Sequence, residues 1–400
     1  MKFDINKYRE EFPIMNDKLI YLDSASTTQK PNSVINSISN FYKKSNANVH
    51  RGTYQIAEDA TLQYENSRKI IAQFINAKNK EIVFTKSTTE SINLIAYSLG
   101  FNFFNENDEI LITEMEHHSN IIPWQIISKK FNLILKYIPL NNKGELDISN
   151  LSNLITNKTK LISITHMSNV LGSINPIEKI ISIANKKNIL TLIDAAQSIS
   201  HIPIDVKKLN CDYLVFSGHK IMGPTGVGIL YGKNNLLNSM EPFLTGGHMI
   251  KDVSMDKSTY NLSPFKFEAG TPNIAQAIGL GEAIKFYTKY NYNDMHDYLH
   301  RLYLYLIENL QSIPEIKLYS YNKNNGPVIS FSINGIHAYD VAKLLDTSRI
   351  CIRAGHHCAQ PILNKFNLES INRVSLYYYN TLEEIDLLRK NLLKIIKILS

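Results

Sequence analysis

The chain is poor in cysteine: among its 400 residues only Cys211, Cys351 and Cys358 occur. An odd, low count excludes a disulfide scaffold and fits a reducing compartment. Long apolar runs are missing too, and none approaches the roughly 18 residues that span a bilayer. The first eleven residues, MKFDINKYREE, are too polar and acidic for a secretory signal or a transit peptide, so a cytoplasmic protein with no membrane contact is expected. A net charge of +7 invites a nucleic-acid reading. The lysines are scattered, however, often beside Asn as in Asn185-Lys-Lys-Asn188, and no basic block alternates with aromatics, so no nucleic-acid partner is expected. Repeats and low-complexity linkers are absent. The His356-His357-Cys358 run is too tight for a tetrahedral zinc set, whose paired ligands lie about two to four residues apart, so no metal is expected.

What is present is ample core material. Hydrophobic residues make up 44% and charged residues 20%, and 400 residues exceed one ordinary domain. Short apolar segments alternate with helical periodicity: strands are predicted at 81–85, 108–113, 133–138, 159–166, 191–194 and 213–216, with helices at 91–99, 121–131, 148–155 and 177–188 between them. The strands show little polar alternation, so both their faces should be covered. This pattern predicts an α/β fold: a mainly parallel sheet with right-handed crossovers, binding its ligand beyond the carboxyl ends of the strands. Near residue 290 the pattern changes. Helices are predicted at 295–310, 338–345 and 382–399, and strands at 327–333 (with alternation), 350–353 and 373–377, which reads as a smaller α+β domain. The expected division is an amino-terminal segment 1–20 packing with the small domain, a large domain 21–290 and a small domain 291–400.

The chain is organised around Asp212-Tyr-Leu-Val-Phe-Ser-Gly-His-Lys220 and the glycine-rich turn that follows it. A lysine at the end of a buried strand is costly to keep charged, which suits an amine that forms a Schiff base with an aldehyde cofactor. Asp194 ends another strand, where a carboxylate can pair with a protonated pyridine nitrogen; an isolated Asp there is also a common helix N-cap. Thr85-Lys-Ser-Thr-Thr-Glu90 joins a strand to a helix and offers N–H groups and hydroxyls to a phosphate, or plain capping. Cys358 lies in a polar loop near Arg353 and His356-His357, cations that favour a thiolate. Cys211 and Cys351 read as buried packing residues.

Asp194-Ala-Ala-Gln-Ser, Ser217-Gly-His-Lys220 with Gly223-Pro-Thr-Gly226, and Phe267-Glu-Ala-Gly-Thr-Pro-Asn273 resemble the class V aminotransferase family of pyridoxal-phosphate enzymes, fold type I. Arg353-Ala-Gly-His-His-Cys-Ala-Gln-Pro361 narrows the resemblance to SufS-like, type II cysteine desulfurases, as do Glu116-His-His-Ser-Asn120, Asn48-Val-His-Arg-Gly52 and Gly246-Gly-His-Met-Ile250. The likeness runs over nearly the whole chain. It implies that Lys220 holds pyridoxal 5'-phosphate and then moves protons, that Asp194 pairs with the ring nitrogen, and that Gln197 bonds the phenolic oxygen. It implies that His117 stacks on the ring, and that Thr88, Thr89, Ser217 and His219 bind the phosphate. Thr271 would reach the phosphate of a neighbouring subunit, hence a homodimer. Arg373 and Asn169 would hold the substrate carboxylate, with Arg353, His50 and Arg51 near the thiol. The implied reaction is desulfuration of L-cysteine to L-alanine, leaving a persulfide on Cys358 for a SufE-like or SufU-like acceptor in Fe–S cluster assembly. Selenocysteine lyase activity asks for the same residues. A non-catalytic sulfur carrier or metal-binding protein is the alternative from another class. Three positions depart from the family pattern: Tyr54, His248 and Tyr377-Tyr-Tyr379. The first two bear on dimer contacts or acceptor docking.

Overall fold

The computed structural model describes residues 3–399. Seven strands form the central sheet: β1 (Ile82–Thr85), β2 (Glu109–Thr113), β3 (Ile134–Ile138), β4 (Thr159–Thr165), β5 (Leu190–Asp194), β6 (Tyr213–Ser217) and β7 (Gly228–Gly232). Their order is β1-β7-β6-β5-β4-β2-β3. β2 to β6 pair in parallel, while β7 runs antiparallel between β1 and β6. The expected mainly parallel sheet is therefore present. β2, β6 and β7 are buried along their whole length, as near-continuous apolar runs require. β3 is the exception: it is one of the two outer strands, and Ile134 and Tyr137 face solvent.

Two of the elements that escaped the sequence reading border the site's framework. β7 begins and ends in glycine, which weakens its strand signature. The helix Ile274–Thr288 is apolar nearly all round, so it shows little amphipathic period. It packs against the helices Asn32–Asn40 and Gln55–Phe74.

A second sheet of four antiparallel strands follows: Ile316–Tyr319, Val328–Ile333, Ile371–Ser375 and Arg353–Gly355, in that order across the sheet. The alternation expected at 327–333 is not there; Val328, Ile329, Ser330 and Phe331 are all buried, because both faces of that strand are covered. The strand expected at 350–353 is split: Ile350–Cys351 pairs in parallel with Ile20–Tyr21, and Arg353–Gly355 joins the sheet. The amino-terminal segment is thus tied to the carboxyl-terminal part. Tyr8 and Phe12 are fully buried in a ring cluster with Phe286, Tyr290 and Tyr379. Tyr377, Tyr378 and Tyr379 are fully buried; the Tyr378 hydroxyl donates to the Ser200 carbonyl (2.7 Å), and the Tyr379 hydroxyl pairs with Ser24 Oγ (2.8 Å).

Candidate active site

The carboxyl ends of β1, β2, β4, β5 and β6 converge on one cavity of about 290 Å3. On one side, the helix Thr88–Asn102 begins directly after β1 and is capped by Ser87, whose side chain accepts from Glu90 N–H (3.2 Å). Its first turn faces the cavity: Thr88 N–H donates to Ser217 Oγ (2.8 Å), Thr88 Oγ1 pairs with the same oxygen (2.8 Å), and Thr89 Oγ1 pairs with Ser119 Oγ (2.8 Å). Thr85, Gly228 and Ser217 lie opposite one another across β1, β7 and β6. Gly228 is required by this close approach, since a Cβ there would come within 2.5 Å of the Ser87 backbone. A helix amino terminus ringed by hydroxyls is an anion cradle by its dipole and its N–H groups.

Lys220 follows β6 in a tight turn, Gly218–Lys220. Its amine donates to the backbone carbonyls of Ala25 and Ser26. Burial, reinforced by the Arg373 charge, lowers its pKa from 10.5 to about 7. Asp194 ends β5 and is 4% exposed; burial raises its carboxyl to about 6, against a lowering by the Ala196 N–H (2.9 Å) and by Lys220. His117 accepts from Ser119 N–H at Nδ1 (3.1 Å), which assigns the proton to Nε2, and burial lowers it to about 4, so the ring is neutral. His219 is lowered to about 3, again chiefly by burial. Gln197 Nε2 donates to the Ala25 carbonyl (2.8 Å).

Of the residues singled out in the sequence, Lys220, Asp194, Gln197, His117, Thr88, Thr89, Ser217, His219, Asn169, Arg353 and Arg373 all line this cavity. Cys358 does not line it, but its loop is tethered to the lining. Asn169 Nδ2 donates to the His357 carbonyl (2.8 Å), and His118 N–H donates to the Cys358 carbonyl (2.7 Å). His357 and Cys358 both have left-handed backbone, φ 51° and 55°, a conformation costly for side chains with a Cβ. The half-buried thiol is thus held by an unusual, strained turn. His357 is not a cation beside it: burial lowers that ring to about 3, and its Nε2 faces the Ile371 carbonyl (3.1 Å). Thr271, His50 and Arg51 lie elsewhere. Thr271 lines a second cavity with Lys86 and Glu90; His50 bonds Glu65 Oε1 (2.9 Å) and stacks on His248 (4.8 Å); Arg51 is exposed. Among the described residues no group of three His, Cys, Asp or Glu is placed to hold a metal ion.

Sequence reasoning missed three contributors. The turn after Ile20–Tyr21 supplies the two carbonyls under Lys220 and the Asp23 carboxylate, which bonds Arg373 Nη2 (2.7 Å). Glu116, fully buried behind His117, is raised to about 8 by burial and receives Thr113 Oγ1–H (2.6 Å), Asn120 Nδ2 (2.7 Å) and Thr165 N–H (2.9 Å). Asn120 Oδ1 in turn accepts from Trp124 Nε1 (2.9 Å).

An amine that is half neutral near pH 7 and a buried carboxylate facing the same space fit a ring that carries an aldehyde and a basic nitrogen, and the helix cradle fits a phosphate on that ring. With the strand order, this makes the chain a pyridoxal-phosphate enzyme of fold type I. Residues 20–388 match the family model of class-V aminotransferases. A probable cysteine desulfurase of Synechocystis sp. is 45% identical, covering 98% of this chain and 96% of its own length. One from Staphylococcus aureus is 46% identical, covering 96% and 95%. Among solved structures, the cysteine desulfurase CsdA of Escherichia coli superposes with a TM-score of 0.94 at 35% identity over all of both chains. Apo cysteine desulfurase of Thermococcus onnurineus NA1 gives 0.95 at 40% identity, over 98% of each chain. The chain belongs to the cysteine desulfurase branch of the class V aminotransferases.

Proposed function

We propose that this protein desulfurates L-cysteine to L-alanine and leaves the sulfur as a persulfide on Cys358. The observation that carries the reading is the meeting of Lys220, Asp194 and Arg373 in one cavity, with the Cys358 loop tethered to its lining. The relatives' names support the reaction.

When bound, pyridoxal phosphate supplies an electron sink for the charge left when the substrate loses its α-proton. Lys220 would hold it and would accept that proton; its lowered pKa makes the neutral amine available near pH 7. Asp194, held dry at the end of β5, keeps the ring nitrogen protonated. Ser87, Thr88, Thr89, Ser217 and His219, which line the cavity, would hold the phosphate, Gln197 the phenolic oxygen, and His117, a neutral imidazole, would lie against the ring. Arg373 binds the substrate carboxylate, aided by Arg353. The Cys358 thiolate attacks the substrate sulfur; its S–S bond forms as the substrate C–S bond breaks, and the electron pair returns to carbon, where a proton completes alanine.

We propose that the chain works as a homodimer in which Thr271 serves the partner's phosphate, with His50 and Arg51 near the junction. Exposure of Val253, Met255, Leu262, Tyr54 and Leu62 supports a covered face. A protein acceptor of the SufE or SufU kind and a destination in Fe–S cluster assembly complete the proposal. So does a division into a large domain 21–290 and a small domain 291–400, with 1–20 packed on the latter. The deciding test is Cys358→Ala. The variant should keep the yellow cofactor band and release no sulfide under reductant. Sulfide release at the parent rate would remove the thiol from the reaction.

A further inference from the structure

Arg353 and Arg373 are directly opposite each other on paired strands. Like charges so placed repel. Arg373 is only 2% exposed, so its charge also lacks water. One carboxylate answers both: Asp23 Oδ1 lies 2.7 Å from Arg373 Nη2, and Asp23 Oδ2 lies 3.9 Å from Arg353 Nη1. Ser26 Oγ completes the knot. It accepts from Arg373 Nη2 (2.7 Å) and Arg353 Nη1 (3.0 Å) and donates to Asp23 Oδ1 (2.7 Å). Arg373 Nη1 is taken by the Asn169 carbonyl (2.9 Å), and the buried Arg373 Nε has no partner.

A guanidinium grips a carboxylate best through two parallel N–H groups. Arg373 Nε is unpartnered but buried, and Nη2, the second contact of a two-point grip on an amino-acid carboxylate, is held by Asp23 and Ser26. We propose that Asp23 is an internal carboxylate that competes with the carboxylate of the amino-acid ligand for Arg373 and Arg353. It keeps the two guanidiniums in place between turnovers, loosens the grip on substrate and product alike, and hastens departure of the amino-acid product. This rests on the assignment of Arg373 to the substrate carboxylate.

The test is calorimetric binding of L-alanine and of acetate to the cofactor-loaded enzyme, with steady-state kinetics on L-cysteine beside it. Asp23→Asn keeps the shape and removes the charge. It should bind both ligands about tenfold tighter, the worth of one charge-assisted hydrogen bond regained. KM and kcat should fall together. Ser26→Ala, which removes a contact but no charge, should tighten binding far less. Unchanged or weaker binding in Asp23→Asn, or equal tightening in Ser26→Ala, would overturn the competition. Arg373→Ala separates the two ideas: if it binds alanine as the parent does, the substrate-site assignment itself fails. If it weakens binding while Asp23→Asn does not tighten it, only the role given to Asp23 fails.

Discussion

Lys220 shows how burial alone prepares a group for chemistry. Taking the amine out of water penalises its charged form, and Arg373 adds repulsion, so it titrates near 7 instead of 10.5. The sign is definite: below about 7 the folded chain carries a protonated, unreactive amine, and above it a neutral nucleophile. Cofactor-free protein should therefore take up pyridoxal phosphate at a rate that rises through pH 7 and then levels, read by stopped-flow absorbance. A rise only above pH 9 would contradict the assignment. Between about 7 and 10.5 the unfolded chain binds more protons at this site than the folded one, so this residue makes cofactor-free protein more stable as pH rises across that window. Residues of this kind were legible because a charged side chain ending an apolar strand is conspicuous; Lys220 and Asp194 both stood out so. Asp23 did not. Its partner Arg373 is 350 positions away, and nothing local marks a turn aspartate as a counter-ion. The carbonyls of Ala25 and Ser26 carry no residue signature at all.

Among the elements, β7 decides most. As the antiparallel strand between β1 and β6 it brings Gly228 against the capped start of the helix Thr88–Asn102. Gly228→Ala has no room without moving the Ser87 backbone. It should cost about 1–3 kcal/mol of stability by overpacking. It should also weaken pyridoxal-phosphate binding measurably, because the displaced backbone belongs to the proposed phosphate cradle. A denaturant titration and a cofactor-binding titration check the two effects; unchanged cofactor affinity would detach the cradle from this contact. The sequence yielded the parallel strands, whose apolar runs are unbroken, and hid β7, whose glycines serve a close approach. It hid the helix Ile274–Thr288 for the opposite reason, since burial on every side erases the period by which helices are recognised.

At the scale of the molecule, the two ends of the chain are interlocked. Ile20–Tyr21 pairs with Ile350–Cys351, and Phe12 inserts between Tyr8, Phe286 and Tyr379. Removing that ring with Phe12→Ala should cost about 3–5 kcal/mol, the usual price of a fully buried aromatic. The loss should reach the site, because the same amino-terminal stretch leads into the turn that bears Asp23, Ala25 and Ser26. We expect a lowered unfolding midpoint together with a shifted KM for L-cysteine; a stability loss with unaltered KM would show that the turn is held independently. The ring cluster that ties Tyr8 and Phe12 to Phe286, Tyr290 and Tyr379 spans separations no local pattern reveals.

Trp124 is the chain's one tryptophan. Its indole N–H reaches Asn120, which reaches Glu116, which is fixed to Thr165 beside Asp194. Tryptophan emission from this protein therefore has a single origin, wired by three hydrogen bonds to the floor of the candidate site. Emission colour and quenching become a reagent-free gauge of cofactor loading and substrate arrival.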